Sequence, residues 1–331
     1  MFRNIYLLIV LVSVLIFGIF LGREVLSEKV DNSCVSKLKL IKQNLDCETL
    51  DYKVEILTNL QAKLEVKIND IKKTNKAKRV SVFVRDLNTS RFMGINDGET
   101  YYMASLLKTP VLIGGFKLAE VEPKILDQEI VYTGKPNLYS EQVIKADENL
   151  KVGETYNIKE LMRRSIIYSD NTAAQLLYDY FPEGFLDRIM QAIGIQITKP
   201  TSETENLMTA RSYANIFRIL FNASYLTKEY SNEALSIMTG TTFNKGATAK
   251  LPKDVLVAHK FAERTVIDPT NKSVAQKQFH ECGIVYNKDS SEPYSFCILT
   301  EGSDYLDLEE VVSDISLIIY YEMNVVGNQP L

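Results

Sequence analysis

The order of strand-like and helix-like segments is the feature that most constrains the fold of this chain. Alternating, β-branched patterns predict strands near both ends of the folding region. These predicted strands cover 79–87, 92–96, 255–260, 278–286 and 294–300. Between the two groups the apolar spacing predicts helices only, and a last amphipathic helix covers 306–322. The order predicts an α+β fold: an antiparallel sheet built from both ends of the chain, flanking terminal helices, and an inserted all-helical subdomain.

The composition argues against several classes of function. A net charge of −4 disfavours a nucleic-acid partner, because phosphate binding requires a basic surface. The only histidines are His259 and His280, and the four cysteines form no Cys-x-x-Cys pair, so we expect neither a metal site nor a cofactor. Neither histidine accompanies a G-x-S-x-G motif, which disfavours a Ser-His-Asp hydrolase.

An uncharged apolar segment, residues 5–21, lies between Arg3 and Arg23. Its length is near the lower limit for a membrane-spanning helix and exceeds a usual signal-peptide core. We expect residues 1–23 to be an uncleaved signal anchor in the cell membrane. The N-terminus would then lie inside the cell and the catalytic domain outside the cytoplasm. A cleaved signal peptide is the alternative, and it also exports the rest of the chain.

Residues 24–77 read as a polar, partly helical connector that precedes a catalytic domain at 78–331. Over 50–71 the apolar residues recur in alternating steps of four and three, which is a heptad pattern. Two interpretations remain open: a coiled-coil stalk that joins two copies of the chain, or an amphipathic helix packed on its own domain. Cys34 and Cys47 lie too far apart on one straight helix to pair, so a bridge between them requires a turn or a second chain.

Cys282 and Cys297 lie on two neighbouring predicted strands. The midpoint between them falls inside the polar turn 287–293. A symmetric hairpin therefore places the two cysteines opposite or nearly opposite each other, within disulfide distance. A cross-strand disulfide would indicate an oxidising compartment, and two buried free thiols are the alternative.

Three short motifs carry the candidate chemistry. Ser105 and Lys108 form an S-x-x-K motif at a helix start, where positions i and i+3 share a face and the amine can reach the hydroxyl. Burial can lower the pKa of such a lysine until it serves as a base. The S-D-N motif at 169–171 interrupts two helices, and there a serine can relay a proton while an amide holds the substrate. Lys260 ends a predicted strand and presents a positive charge at a sheet edge.

In this order the three motifs resemble those of class A β-lactamases and penicillin-binding proteins. The sequences at 152–156 and 172–174 also resemble the family pattern, and the resemblance spans roughly 78–325. It implies a serine hydrolase in which Ser105 becomes acylated, Lys108 takes its proton, and Ser169 delivers a proton to the leaving nitrogen.

The same resemblance implies roles for further residues. Asn171 would position the substrate, and Lys260 would supply positive charge for its carboxylate. The backbone N–H groups of Ser105 and Glu263 would form an oxyanion hole. Tyr139 would resemble an aromatic residue at the mouth of the cleft.

The third motif departs from the family, because it reads K-F-A where the family has K-T-G or K-S-G. Phe261 has no hydroxyl for a substrate carboxylate, and Glu263 brings a negative charge near that group. Arg264 could offset this charge and bind the carboxylate itself. The E-x-x-L-N motif of the deacylating glutamate is absent, which leaves Glu205 and Glu203 as candidate deacylation bases.

Three functions are therefore expected, and they share the acylation of Ser105. The first is β-lactam hydrolysis. The second is D-Ala-D-Ala carboxypeptidase or transpeptidase activity on a cell-wall peptide. The third is a slow or inactive penicillin-binding receptor. They differ only in what receives the acyl group.

Overall fold

The computed structural model describes residues 57–139, 148–195, 207–267, 273–286 and 293–327, together with Leu40 and Thr270. The expected signal anchor at 1–23, both cysteines of the connector, and the glutamates Glu203 and Glu205 lie outside the described residues. No helix in the described part of the chain is long and apolar enough to cross a membrane.

The main sheet has five antiparallel strands in the order β2-β1-β9-β8-β7. They are β1 (Arg79–Asp86), β2 (Phe92–Ile95), β7 (Leu256–Ile267), β8 (Val274–Tyr286) and β9 (Tyr294–Gly302). β1 pairs with β9 in register, with Val82 opposite Ile298, so the two ends of the folding region share one sheet. This arrangement confirms the predicted α+β architecture.

In the described part of the chain, two helices cover one face of the sheet, and six more lie in the segment inserted between β2 and β7. The first two are α1 (Thr58–Lys73) and α8 (Tyr305–Gly327). The six are α2 (Lys108–Val121), α3 (Ile158–Ile167), α4 (Asn171–Tyr180), α5 (Phe185–Ala192), α6 (Ala210–Phe221) and α7 (Lys228–Thr239).

The inserted segment is not purely helical, which corrects the sequence prediction. Two short strand pairs accompany it, β3 (Thr100–Tyr102) with β6 (Leu207–Thr209) and β4 (Glu129–Val131) with β5 (Thr155–Asn157). Each strand has three residues, which is too short for alternation of apolar and polar residues to be recognised.

The heptad positions of α1 are occupied within the chain. Leu64, Ile68 and Ile71 are buried in one apolar core with residues of α8 such as Ile315. The ion pair of Lys67 Nζ with Asp314 Oδ2, 2.8 Å apart, joins the same two helices at the surface. Within the described residues the pattern therefore belongs to a helix packed on its own domain, and the second of the two sequence interpretations applies at 57–71.

Cys282 and Cys297 lie directly opposite each other on β8 and β9 and form a disulfide. Their Cα atoms are 4.0 Å apart. The symmetry of the hairpin about its polar turn thus predicted the pairing.

Candidate active site

Ser105 lies in a 3₁₀ turn, Ala104–Leu107, that leads directly into α2. Ala104 has a φ of 44°, in the left-handed region, and this sharp change of direction connects β3 to the turn. Lys108 is the first residue of α2, one turn beyond Ser105, so both side chains project on the same side. The backbone N–H groups of such a first turn have no acceptor inside the helix. The backbone N–H of Ser105 is therefore able to bind an anion.

The amine of Lys108 is the centre of a hydrogen-bonded cluster. Its Nζ donates to Ser105 Oγ at 3.0 Å, to Ser169 O at 2.7 Å and to Asn171 Oδ1 at 2.5 Å. Ser169 Oγ lies 3.1 Å from the same nitrogen. The structure therefore brings the S-x-x-K and S-D-N motifs into direct contact, although they are far apart in the sequence.

Burial lowers the pKa of Lys108 to about 7, while the nearby carboxylates of Asp170 and Glu263 act in the opposite direction. The cause is the loss of water around the charged amine, which favours the neutral form. A substantial fraction of the amine is then unprotonated at neutral pH and can accept the proton of Ser105.

Asp170 fixes the loop that carries Ser169. Its side chain caps α4 by accepting from the backbone N–H of Ala173 at 3.0 Å, and it is fully buried. The Nε of Arg164 lies 3.5 Å from the second carboxylate oxygen. Ser169 has a φ of 53°, in the left-handed region, and directly precedes the capping residue Asp170.

Lys260 completes the cluster from the edge strand β7. Its buried Nζ donates to Ser169 Oγ at 2.9 Å and to the backbone carbonyl of Phe261 at 2.7 Å. Burial and the neighbouring Lys108 both lower the pKa of Lys260. Ser169 Oγ thus lies within hydrogen-bond distance of both amines.

Phe261, which has no hydroxyl to offer a substrate carboxylate, is buried beside the cluster. The Nζ of Lys260 lies 4.1 Å from the centroid of the Phe261 ring, so one face of the ring borders the cluster. The ring is 2% exposed and stacks on Phe243 with 4.3 Å between ring centroids. The third motif position is therefore part of the apolar core beneath the strand.

The backbone groups of Phe261 and Glu263 point to the open edge of the sheet. The short Cα separation of Cys282 and Cys297 is that of a non-hydrogen-bonded pair between β8 and β9. The backbone N–H and C=O of Cys282 are therefore directed to β7, where its partner is Lys260. The residues on either side of Lys260 along β7 direct their own N–H and C=O groups away from β8, to the open edge. The N–H of Glu263 thus lies on the same open edge as the Phe261 carbonyl and can donate to a substrate oxygen there.

Arg264 and Tyr139 are placed by contacts with different segments. The guanidinium of Arg264 lies 4.6 Å from the ring centroid of Tyr102, the last residue of β3 before the Ser105 turn. Tyr139 follows Leu138, whose N–H donates to Thr172 Oγ1 in the first turn of α4. Its hydroxyl accepts from the backbone N–H of Leu150 at 2.7 Å, so the tyrosine anchors that segment.

Tyr213 is a positioning residue that the sequence did not reveal. From α6 its buried hydroxyl lies 2.8 Å from the carbonyl of Leu106 and 2.8 Å from Thr109 Oγ1. These bonds hold the turn of Ser105 against the first turn of α2. The only signal in the sequence is a tyrosine on the apolar face of a predicted helix, which does not identify its partners.

The described residues contain no cluster of histidine, cysteine, aspartate and glutamate side chains arranged to hold a metal ion. The chemistry available at this site is that of a serine nucleophile, two buried amines and backbone donors. A five-stranded antiparallel sheet beside a helical subdomain, with this cluster at their junction, defines a serine hydrolase fold of the β-lactamase and penicillin-binding class.

The comparison with known proteins agrees with this class. Residues 63–323 match the Beta-lactamase enzyme family (Beta-lactamase2), and the chain belongs to this family. No curated protein sequence shows significant similarity to the chain.

Solved structures share the fold at low sequence identity. PBP-A is 20% identical with a TM-score of 0.67, covering 83% of this chain and 100% of its own. A β-lactamase from Chitinophaga pinensis is 20% identical with a TM-score of 0.66, covering 79% and 100%. One from Xanthomonas campestris is 17% identical with a TM-score of 0.66, covering 80% and 98%. At these identities the likeness extends to the fold alone.

Proposed function

We propose that this chain is a membrane-anchored serine hydrolase, with its catalytic domain outside the cytoplasm, that attacks the amide of a β-lactam and forms an acyl-enzyme on Ser105. The observation that carries the proposal is the single cluster in which Lys108 contacts Ser105, Ser169 and Asn171 while Lys260 contacts Ser169. A solved point mutant of PBP-A, 20% identical to this chain, is an acyl-enzyme complex with penicillin G, which supports the choice of ligand class.

In the acylation step, Ser105 Oγ bonds to the carbonyl carbon of the amide and its proton passes to the neutral amine of Lys108 at 3.0 Å. Negative charge develops on the carbonyl oxygen. The backbone N–H groups of Ser105 and Glu263 stabilise that charge, and such donors contribute about 3–4 kcal/mol each.

In the second half of the step, the carbon–nitrogen bond breaks and the leaving nitrogen takes the proton of the Ser169 hydroxyl. Ser169 regains a proton from Lys108, to which it is hydrogen-bonded at 3.1 Å. Lys260 stabilises the serine oxygen during this exchange by donating a hydrogen bond to it at 2.9 Å. The acyl group is then held on Ser105 until water or an amine removes it.

A receptor with slow turnover is the second candidate, and the placement of Phe261 favours it. The buried phenylalanine provides no hydroxyl that could bind a substrate carboxylate. The sequence also lacks the E-x-x-L-N motif of a deacylating glutamate. Glu203 and Glu205 remain the candidate deacylation bases.

Three measurements on the same set of variants separate these candidates and the peptidase. The wild-type chain is compared with Ser105→Ala and with Ser224→Ala, a matched serine change on an exposed loop, for hydrolysis of a chromogenic cephalosporin. Turnover that is lost only in Ser105→Ala supports the β-lactamase. Release of D-alanine from a wall pentapeptide, with the same dependence, supports the peptidase. A stable adduct without turnover supports the receptor, and failure of every acylating probe overturns the proposal.

The proposed location has its own test. The uncharged segment 5–21 supports a membrane anchor, and the Cys282–Cys297 disulfide supports an oxidising compartment. We expect the full chain to sediment with membranes and a variant lacking 1–23 to be soluble. A protease added from outside should digest the catalytic domain. Full-length protein that stays soluble would contradict the membrane location. A catalytic domain that resists external protease as well as a cytoplasmic control protein does would contradict the placement outside the cytoplasm.

A further inference from the structure

A second polar cleft lies on the helical side of β1, away from the acylation cluster. Its volume is about 300 Å³. Arg85 of β1 and Arg211 of α6 line it, together with Phe83, Gly194, Ser212 and Asn215. β1 and β7 are separated by β9 and β8, so the cleft is three strand spacings, about 14 Å, from the strand of Lys260.

The strand pattern explains why arginine lines this cleft. Val82 and Val84 belong to the core shared with α1 and α8, so the alternate residues Phe83 and Arg85 face α6. The guanidinium carbons of Arg85 and Arg211 lie 5.2–5.6 Å from the ring centroids of Phe83 and Phe92. Both cations are thus oriented by the same pair of aromatic rings.

Positive charge exceeds negative charge around the cleft. Arg211 Nε pairs with Asp97 Oδ2 at 2.6 Å, whereas Arg218 Nε donates to the neutral amide oxygen of Asn215 at 2.9 Å. Among the described residues no carboxylate pairs with Arg85. Burial, with repulsion from Arg218 and Arg211, lowers the pKa of Arg85, so the positive charge of Arg85 is energetically unfavourable within the cleft. A bound anion would relieve that cost.

Asn215 adds a neutral donor to the two guanidiniums. Its amide oxygen accepts from Arg218, which directs the NH₂ group to the opposite side. There it faces Gly194, where a Cβ would lie 3.8 Å from Asn215 Nδ2. Gly194 has a φ of 79°, so this wall of the cleft requires glycine and stays open.

We propose that this cleft binds a phosphoryl group, held between the guanidiniums of Arg85 and Arg211 with Asn215 as a further donor. Among the described residues, Arg85, Arg211 and Arg218 exceed the carboxylate of Asp97 by two charges, which matches the double negative charge of a phosphate monoester near neutral pH. Planar guanidinium groups also suit the geometry of phosphate oxygens. The site is separate from Ser105, so its occupancy does not depend on the proposed hydrolase activity.

The test measures binding of inorganic phosphate to the full chain by calorimetry, with ionic strength held constant by chloride. We expect saturable binding that weakens at least about tenfold in Arg85→Gln, because a charge-assisted hydrogen bond is removed. Asn215→Asp, which places a carboxylate in the cleft, should abolish it. Arg163→Gln on α3 removes the same charge from an arginine paired with Glu160 and should leave binding unchanged.

Glycerol 3-phosphate distinguishes the source of the phosphoryl group. Tighter binding of this monoester than of inorganic phosphate identifies an organic phosphate as the ligand, and the reverse order identifies free phosphate. Absence of saturable binding up to about 10 mM, the range of very weak affinity, overturns the proposal. Equal weakening by Arg85→Gln and Arg163→Gln also overturns it, because binding would then follow net charge alone.

Discussion

The two sides of the active site differ in how closely they keep to the family pattern. On the side of the helical subdomain, Ser105, Lys108, Ser169 and Asn171 form one hydrogen-bonded cluster around a buried amine. On the side of the sheet, Lys260 joins the cluster, but the residue after it turns its ring into the core. The groups that form an acyl-enzyme are retained, whereas the side-chain hydroxyl that would receive a substrate carboxylate is absent.

This difference separates two demands on the site. Acylation requires a nucleophile, a base and backbone donors, and a strand edge can supply the donors whatever its side chains are. Recognition of a carboxylate requires particular side chains on the cleft face. Of the residues beyond Lys260 on β7, Arg264 is the cation that faces this side, next to Tyr102.

The largest effect should come from the helical side, at the base. Lys108→Gln removes the proton acceptor of Ser105, and we expect the acylation rate constant to fall about a thousandfold, as for loss of a general base. The measurement is the rate of labelling by a fluorescent penicillin. Lys117→Gln, on the same helix but paired with Glu120 and Tyr225, is the matched control and should keep the wild-type rate. A loss below about tenfold in Lys108→Gln would contradict the role of the amine.

The sheet side should respond in stability rather than in acylation. Phe261→Thr restores a family residue but removes a ring stacked on Phe243, so we expect the free energy of unfolding to fall by about 3 kcal/mol. Phe261→Leu should lose less. Denaturant unfolding gives the stability, and penicillin labelling gives the acylation rate. Unchanged stability in Phe261→Thr, together with faster acylation, would contradict the stacked and buried position of the ring described above.

The pH dependence of acylation tests the role of Lys108 as the base. Lys108 acts in its neutral form and burial lowers its pKa to about 7. The acylation rate constant should therefore rise with pH and level off above about 7. Below that value it should fall about tenfold per pH unit, because each unit removes nine-tenths of the neutral amine. A profile that still rises steeply above about pH 9 would mean that the amine keeps its ordinary pKa.

The smallest effect should come from the residue that holds the nucleophile turn. Tyr213→Phe removes the bonds to Leu106 O and Thr109 Oγ1, and we expect a loss of about 1–2 kcal/mol in the free energy of unfolding and severalfold slower acylation. Tyr230→Phe is the control, since its hydroxyl makes only a 3.4 Å contact with Ala119 at the far end of α2. If both variants keep the wild-type acylation rate, Tyr213 has no positioning role.

The sequence predicted the sheet well because its strands are long and their periodicity is clear. The segment 294–300 corresponds to a strand that spans Tyr294–Gly302, and the Cys282–Cys297 pairing followed from the hairpin's symmetry. The three-residue strands escaped prediction, since Ile130 and Tyr156 form one cross-strand pair that no local pattern marks. The heptad of α1 had two physical solutions, and only the packing against α8 distinguishes them.

For the site, the sequence supplied the residue types and the structure supplied their directions. Ser105 and Lys108 share a helix face, so their contact was predictable from spacing. The orientation of Phe261 depends on which face of β7 meets the cluster. The partners of Tyr213 depend on how α6 packs against α2. Both are tertiary properties that a motif does not encode.

The central claim is that Ser105 becomes acylated, and intact-protein mass spectrometry tests it most directly. The full chain is mixed with penicillin G, quenched with acid and weighed, and the modified peptide is sequenced. We predict a mass increase equal to one whole penicillin, located on Ser105 and absent in Ser105→Ala. An unmodified protein at saturating penicillin, or an adduct that persists in Ser105→Ala, would contradict the claim.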